Sequence, residues 1–146
     1  MTDSPVEDVH AFQELNARYN FAVDDTDGAS WADCFTATGV FNALLPVQTL
    51  TGTEKLIDFM PIVTEAFGRM HHLTTNEIIT VSGNEATQKC YLLFFGARDG
   101  RRNLATVDRS TRADSLTRHA AAFGARNAVC KDMVNPPSST SPALST

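Results

Sequence analysis

The hydrophobic pattern of this chain changes its period at His71, and that change constrains the fold more than any other feature of the sequence. Beyond it, residues 73–82, 85–97 and 103–111 read as three strands whose side chains alternate between two faces. Tight-turn sequences separate them, Ser-Gly-Asn at 82–84 and Asp-Gly at 99–100. A meander this long must curve and be covered on one face by other elements, so the sequence predicts an α+β fold.

Helical sequence precedes the meander and can supply that cover. Residues 4–7, Ser-Pro-Val-Glu, read as an N-cap, a first-turn proline and a capping-box glutamate. Apolar residues then recur at helical spacing, and the helix should end near Asp24. Asp27 is the expected N-cap of a short second helix over residues 28–35.

Two short strands and a third helix complete the first half of the chain. Residues 39–45 and 47–50 read as paired strands. Thr53 is the expected N-cap of a helix that stops at Gly68. Pro61 lies inside this helix and predicts a kink or a break.

Composition narrows the class of protein. The 146 residues correspond to one domain, assigned to 1–134, and the Pro/Ser/Thr-rich residues 135–146 read as a disordered tail. A net charge of −5 argues against a nucleic-acid partner, and no stretch resembles a membrane span or a signal peptide. Three widely spaced cysteines, Cys34, Cys90 and Cys130, suit buried thiols in a reducing compartment better than disulfides or a zinc site. A cytoplasmic location is therefore expected.

Asp24 and His72 are the residues best placed for chemistry. Asp24 closes the first helix on the stripe that carries Tyr19, so it can face inward, where a carboxylate needs a partner; Asp25 is expected to be solvated. His71 and His72 enter the first long strand, so one of them points inward. An inward imidazole paired with a carboxylate is a competent general base, and a core histidine with satisfied hydrogen bonds is the alternative. Two adjacent strand histidines cannot both face one metal ion, so no metal site is predicted.

Further polar and aromatic side chains could complete a pocket. Asn76 follows His72 by four residues and is expected on the same strand face, where its amide could bind a substrate oxygen or satisfy the sheet edge. Arg109 could pair with Asp24 or face solvent. Tyrosines could supply hydroxyls and phenylalanines apolar walls, although such aromatic residues more often belong to the core. The predicted substrate-binding residues are Tyr19, Phe41, Phe59, His71, Asn76, Tyr91 and Arg109.

Several segments together resemble the NTF2-like superfamily, in its SnoaL-like branch. Residues 14–24, Glu-Leu-Asn-Ala-Arg-Tyr-Asn-Phe-Ala-Val-Asp, resemble the family's first helix, which ends in an inward aspartate. Residues 27–41 carry the pattern D-x-x-x-W-x-x-x-F followed by G-x-F, and residues 68–76 are similar to the R-H-x-x-x-N entry to the main sheet. Residues 105–109 resemble the G-R-Y strand, with Asp108 and Ser110 replacing the glycine and the tyrosine. The resemblance implies a cone-shaped fold, in which three N-terminal helices wrap a curved antiparallel sheet.

The same resemblance implies an activity. In the scytalone dehydratase and hexachlorocyclohexane dehydrochlorinase types, an aspartate at the end of the first helix orients a sheet histidine that removes a proton from carbon. Asp24 and His72 fall on these two positions. This implies a lyase or isomerase (dehydratase, dehydrohalogenase or cyclase) that needs no cofactor, acts on a small apolar cyclic substrate and assembles as a homodimer or trimer. The alternative is a non-catalytic ligand-binding or oligomerisation module of the same fold.

The segment after Arg112 departs from the family pattern. A turn and a last strand containing tryptophan normally follow, whereas residues 114–134 have no tryptophan and a weak strand pattern. Residues 123–133 are the candidate for that strand.

Overall fold

Three helices and six strands make up the described part of the chain. The structure is a computed structural model that describes the backbone at residues 6–44, 47–117 and 120–134, and side chains at 6–43, 48–100, 102 and 104. The predicted cap at residues 4–5 and the predicted tail at 135–146 lie outside these ranges. In chain order the elements are α1 (Val6–Asp24), α2 (Gly28–Ala32), β1 (Phe35–Leu44), β2 (Val47–Thr51), α3 (Thr53–Phe67), β3 (Arg69–Ser82), β4 (Glu85–Arg98), β5 (Arg101–Thr117) and β6 (Ala120–Val134).

The strands form one open sheet in the order β2-β1-β6-β5-β4-β3, which places β3 at an edge. The predicted meander is confirmed, because β3–β4, β4–β5 and β5–β6 all pair antiparallel. The candidate last strand also forms, as β6, and it is longer than expected. It runs parallel to β1, however, so the sheet is mixed where an antiparallel one was expected. This pairing joins the two halves of the chain.

Both predicted hairpin turns are present and follow from backbone chemistry. Gly83 has a φ of 60° between β3 and β4. Asp99 and Gly100 both have positive φ, 50° and 76°, as a two-residue hairpin turn requires. These turns set the registers of the β3–β4 and β4–β5 pairs, and so determine which side chains of these strands face inward.

One core fills the space between the helices and the sheet. Helix α1 packs on β3 and also contacts β5 and β6, while α3 contacts β1, β2 and β4. The largest fully buried apolar side chains are Trp31, Phe12, Leu15, Leu56 and Met70. The helices therefore cover one face of the sheet, as the α+β prediction requires.

Helix α2 begins at the predicted cap. The Asp27 carboxylate accepts hydrogen bonds from the Ser30 backbone N–H at 3.0 Å and from the Ser30 hydroxyl at 2.6 Å. These bonds stabilise the charged form and hold the pKa of Asp27 below its usual range. The helix is shorter than predicted because Phe35 already belongs to β1, where its buried ring packs 5.5 Å from that of Trp31.

Helix α3 differs from its prediction at its N-cap and runs unbroken through Pro61. Its N-cap is Gly52, with a φ of 89° and no side-chain cap bond, so the assignment of that role to Thr53 is wrong. The helix continues through Pro61 without a break, because proline removes only one backbone bond while buried residues before it and the partly buried Val63 and Phe67 after it hold the helix in place. Gly68 ends the helix as predicted, with a φ of 67°, and a Cβ there would overlap the carbonyl of Ala97.

Candidate active site

Asp24 and His72 meet between the end of α1 and β3. Oδ1 of Asp24 lies 2.6 Å from Nδ1 of His72, and Oδ2 accepts a 3.0 Å hydrogen bond from the His72 backbone N–H. The two side chains are 13% and 11% exposed, respectively. Because a carboxylate only accepts hydrogen bonds, this contact favours the tautomer with the proton on Nδ1. One carboxylate thus holds both the ring and the backbone of the same residue; we call this pair the dyad.

Local structure explains why the dyad forms. Asp24 is the last residue of α1 and follows the buried Asn16 and Asn20 at intervals of four residues, so all three lie on neighbouring turns of one face. β3 is an edge strand, so alternate backbone N–H groups point away from β4. The Asp24 carboxylate takes up one such N–H, at His72.

His72 is the inward histidine of the adjacent pair. The side chain of His71 is 72% exposed, and its Nδ1 lies 3.8 Å from Oδ2 of Asp24. An exposed pair at this distance contributes little to stability. His71 therefore lies beside the dyad, exposed to solvent, and is not part of it.

Phenylalanine rings form an apolar wall beside His72. The ring of Phe94, opposite His72 on β4, lies 5.0 Å from the imidazole between centroids. Phe67, at the end of α3, packs edge-on against Phe94, also at 5.0 Å. The imidazole is thus polar on its Asp24 side and apolar on its Phe94 side.

The predicted substrate-binding residues Tyr19, Phe41 and Phe59 lie in an aromatic cluster around Trp31. Their ring centroids lie 5.9, 5.3 and 6.4 Å from that of Trp31. Tyr19 and Phe59 are buried, and Phe41 is partly buried. What the structure shows for these residues is core packing; substrate contact by them stays a prediction.

A bulge in β3 moves Asn76 away from its predicted position. The register steps from Thr75 opposite Tyr91 to Ile78 opposite Lys89, so two residues, Asn76 and Glu77, occupy the space of one. Asn76 is exposed and has a φ of 54°. The expectation that Asn76 shares a face with His72 is therefore wrong, because the extra residue breaks the alternation.

Tyr91 lies away from the dyad, and the role predicted for Arg109 stays a prediction. Tyr91 is 48% exposed, between the buried Cys90 and Leu92, so it lies on the outer face of β4 and away from the predicted pocket. The backbone of Arg109 on β5 is opposite Cys90 on β4 and Ala128 on β6; its side chain lies outside the described part.

Two polar contacts on the covered face of the sheet escaped the sequence analysis. Asn20 Nδ2 donates a 2.9 Å hydrogen bond to Thr74 Oγ1. Gln88 Nε2, on the buried Gln88 side chain, donates a 2.6 Å bond to a carboxylate oxygen of Glu77. The first could have been found, because Asn20 lies one helical turn before Asp24 and Thr74 two residues after His72. The second depends on the bulge, which no periodicity reveals.

Among the described residues, no group of three or more His, Cys, Asp or Glu side chains could hold a metal ion. Cys34 and Cys90 are buried, and burial raises the pKa of the Cys34 thiol to about 11, which leaves little thiolate at neutral pH. In the same part of the chain, no helix has both the length and the apolar character needed to cross a membrane.

A groove of about 530 Å³ lies between α2 and α3, apart from the dyad. Its lining includes Thr26, Gly28, Ile57, Met60 and Pro61, and neither dyad residue belongs to it.

The helix-covered open sheet, with a helix-end aspartate holding a sheet histidine, is the arrangement expected of an NTF2-like protein. A solved NTF2-like protein with a cystatin-like fold from Novosphingobium aromaticivorans is similar over 87% of this chain and 84% of its own, with a TM-score of 0.74 and 20% identity. The family model for the SnoaL-like domain matches residues 4–124, and the chain belongs to this family.

Two further solved structures share the fold. One, provisionally described as an aromatic ring hydroxylase, comes from Novosphingobium aromaticivorans and is similar over 92% of this chain and 96% of its own, with a TM-score of 0.82 and 22% identity. The other is the hexachlorocyclohexane dehydrochlorinase LinA-type3 from Novosphingobium barchaimii, similar over 89% and 90%, with a TM-score of 0.78 and 16% identity. Identities this low establish the fold alone. No protein with curated annotation matches the sequence.

Proposed function

We propose that this protein is a cofactor-independent lyase or isomerase in which His72, held by Asp24, is the general base. The observation that carries the proposal is the 2.6 Å contact between Nδ1 of His72 and Oδ1 of Asp24, made by two side chains that are almost enclosed. Membership in the SnoaL-like family supports it, as does the shared fold with a dehydrochlorinase.

The contact gives the imidazole the form that a base needs. With the proton on Nδ1 directed at Asp24, Nε2 is the basic nitrogen and takes a proton from carbon. The imidazolium that forms is stabilised by the carboxylate 2.6 Å away. Positioned general-base catalysis of this kind contributes about 10²- to 10⁴-fold in rate.

The surroundings of His72 favour a small, largely apolar and cyclic substrate. The Phe94 ring lies 5.0 Å from the imidazole and is backed by Phe67, which gives an apolar wall. Such a wall binds the apolar ring of a ligand through hydrophobic contact, and a few polar groups fix the orientation of the ligand. Elimination, isomerisation and cyclisation all begin with the same proton removal, and loss of water or of a halide would follow it in a lyase.

The adjacent histidines offer a matched pair of variants that test the base. His72→Gln should slow proton removal about 10²-fold or more, while His71→Gln should retain most of it, because only His72 is enclosed with Asp24. Two probes are suitable: hydrogen–deuterium exchange next to the carbonyl of cyclohexanone, followed by NMR, and chloride release from hexachlorocyclohexane. Equal rates for the wild type and His72→Gln would contradict the assignment of the base.

A non-catalytic ligand-binding or oligomerisation module is the second candidate. The observation that favours it is that Tyr19, Phe41 and Phe59, which were predicted to bind substrate, pack on Trp31 in the core. A module of this kind would bind ligands equally well with His72 or Gln at position 72, and it would turn none of them over.

The outer face of the sheet supports assembly with further copies of the chain. Several large apolar side chains are exposed there on β3, β4 and β5: Leu73, Ile78, Tyr91, Phe95 and Leu104. An exposed apolar patch of this kind commonly marks an interface. We expect a homodimer or trimer, which Tyr91→Lys would weaken; light scattering would show the mass fall toward that of the monomer, and an unchanged mass would exclude this face. The buried thiols Cys34 and Cys90 support a reducing, cytoplasmic setting.

A further inference from the structure

We propose that the Thr74 hydroxyl, oriented by Asn20, donates a hydrogen bond to a carbonyl oxygen of the substrate, beside the carbon that His72 deprotonates. This inference rests on the proposed function and narrows its substrate class to small cyclic carbonyl compounds. Thr74 would contact the substrate, and Asn20 would be a positioning residue that acts through it.

The position of Thr74 on the strand fits this role. Thr74 lies opposite Leu92, which is buried, just as His72 lies opposite Phe94, so both residues face the helices. Two residues along a strand span about 6.6 Å, so the imidazole and the hydroxyl can reach adjacent parts of one small substrate from neighbouring positions on the same face. The bulge begins only after Thr75, so it leaves this alternation intact.

Asn20 fixes the direction in which the hydroxyl can donate. Its Nδ2 donates to Thr74 Oγ1 at 2.9 Å, so one lone pair of the hydroxyl is occupied from the α1 side. A hydroxyl has a single proton to donate, and that of Thr74 finds no acceptor among the described residues. With Asn20 on α1 supplying a donor, the Thr74 proton is left available to a substrate oxygen on the face shared with His72.

Packing alone does not explain why an amide is buried at Asn20. The residue is 8% exposed, and its Oδ1 is buried with no hydrogen-bond partner in the described part of the chain. A buried amide whose oxygen accepts no hydrogen bond costs stability relative to an apolar residue of the same shape. Asn20 lies one helical turn from Asp24, and its role in orienting Thr74 would explain why a buried amide is found at this position.

The residues first expected to bind a substrate oxygen lie elsewhere. Asn76 is exposed at the bulge, and Tyr91 is on the outer face. Tyr19 is buried in the aromatic cluster. Thr74, two residues from His72 on the inner face of β3, is a side-chain donor that this first set did not include.

His72 and Thr74 together can carry out proton removal and stabilise the enolate that it forms. Nε2 of His72 takes the proton from the carbon next to the carbonyl, and the electron pair of that C–H bond moves onto the carbonyl oxygen to give an enolate. The Thr74 hydroxyl donates to this oxygen, whose charge is greatest at that stage. The enolate then either expels a leaving group from the next carbon with its electron pair, or takes the proton back from His72 at another carbon.

The ionised form of 4-nitrophenol is a stable probe with the flat ring and oxyanion of such an enolate. The wild type should bind this phenolate and lower the pKa of the bound phenol, which its absorbance reports directly. Thr74→Val should weaken phenolate binding about 10- to 100-fold and abolish the pKa change, since the oxyanion loses its donor. Thr74→Ser should restore both, and Asn20→Leu should keep the hydroxyl but lose part of the pKa change.

Thr75→Val is the matched control, because Thr75 is exposed on the other face of the same strand, opposite Tyr91. It should bind as the wild type does. Equal phenolate binding by the wild type and Thr74→Val, or no binding by the wild type, would overturn the proposal and leave the base assignment untouched. If instead His72→Gln keeps wild-type proton exchange while Thr74→Val loses phenolate binding, the base assignment fails and the oxygen site stands. Circular dichroism of each variant establishes that it is folded.

Discussion

Asp24→Asn should reduce proton removal about 10²- to 10⁴-fold while leaving the protein folded. The Asp24 carboxylate accepts from two donors on one residue, the ring Nδ1–H and the backbone N–H of His72. An amide has one acceptor oxygen, so its NH₂ group must face one of these two donors. Either the imidazole moves its proton to Nε2, which removes the base, or the backbone contact breaks and the ring loses its position. Exchange at cyclohexanone followed by NMR measures the loss.

Asp25→Asn is the control for this prediction. Asp25 is the next residue along the chain, exposed, and expected to be solvated. The same change of charge at Asp25 should leave the rate within a few-fold of the wild type. Full activity in Asp24→Asn would mean that the carboxylate neither orients nor stabilises the imidazole, and the proposed mechanism would then lack its second residue.

Trp31→Ala should lower the free energy of unfolding by about 3–5 kcal/mol, a large part of the 5–15 kcal/mol typical of a domain. The Trp31 side chain is 2% exposed, and four aromatic rings surround it, those of Tyr19, Phe35, Phe41 and Phe59. Its removal leaves a cavity that these rings cannot close without leaving their own positions. Urea denaturation followed by circular dichroism measures the change.

Two variants separate this cavity effect from a general loss of aromatic surface. Trp31→Phe should cost much less, because it keeps most of the volume and removes an indole N–H that has no hydrogen-bond partner in the described part of the chain. Phe21→Ala should change stability by less than about 0.5 kcal/mol, since the Phe21 side chain is 70% exposed. A loss in Trp31→Ala no larger than that in Phe21→Ala would contradict the assignment of Trp31 to the centre of the core.

The dyad could be predicted from the sequence because each half has a strong local pattern. Asp24 ends a helix with regular apolar spacing. His72 lies at the start of a strand, where alternation means that either His71 or His72 points inward. The contact between them is not local, and it was the family resemblance that joined them. The structure adds a detail that no spacing contains: the same carboxylate also holds the backbone of His72.

The errors come from places where the backbone departs from a regular period. The bulge at Asn76 and Glu77 reverses the alternation of β3, so counting residues from His72 gives the wrong face. Inward residues are even-numbered before the bulge, as at His72 and Thr74, and odd-numbered after it, as at Ile79 and Val81. Apolar residues at Ile78 and Ile79 fit either phase, so composition alone could not locate the step.

The last strand shows the limit of local pattern. Residues 120–134 are rich in alanine and carry little β propensity, yet they form β6 between two other strands. The pairing of β6 with β1 joins segments more than eighty residues apart in the chain, and its parallel direction depends on the whole topology. Long-range partners of this kind decide the structure where propensity is weak.

The tautomer of His72 in the wild-type protein tests the central contact most directly. A long-range ¹H–¹⁵N NMR spectrum, recorded at a pH where the ring is neutral, distinguishes protonated from unprotonated ring nitrogens. The account predicts that Nδ1 carries the proton in the wild type, directed at the Asp24 carboxylate. A wild-type ring protonated on Nε2 would contradict it.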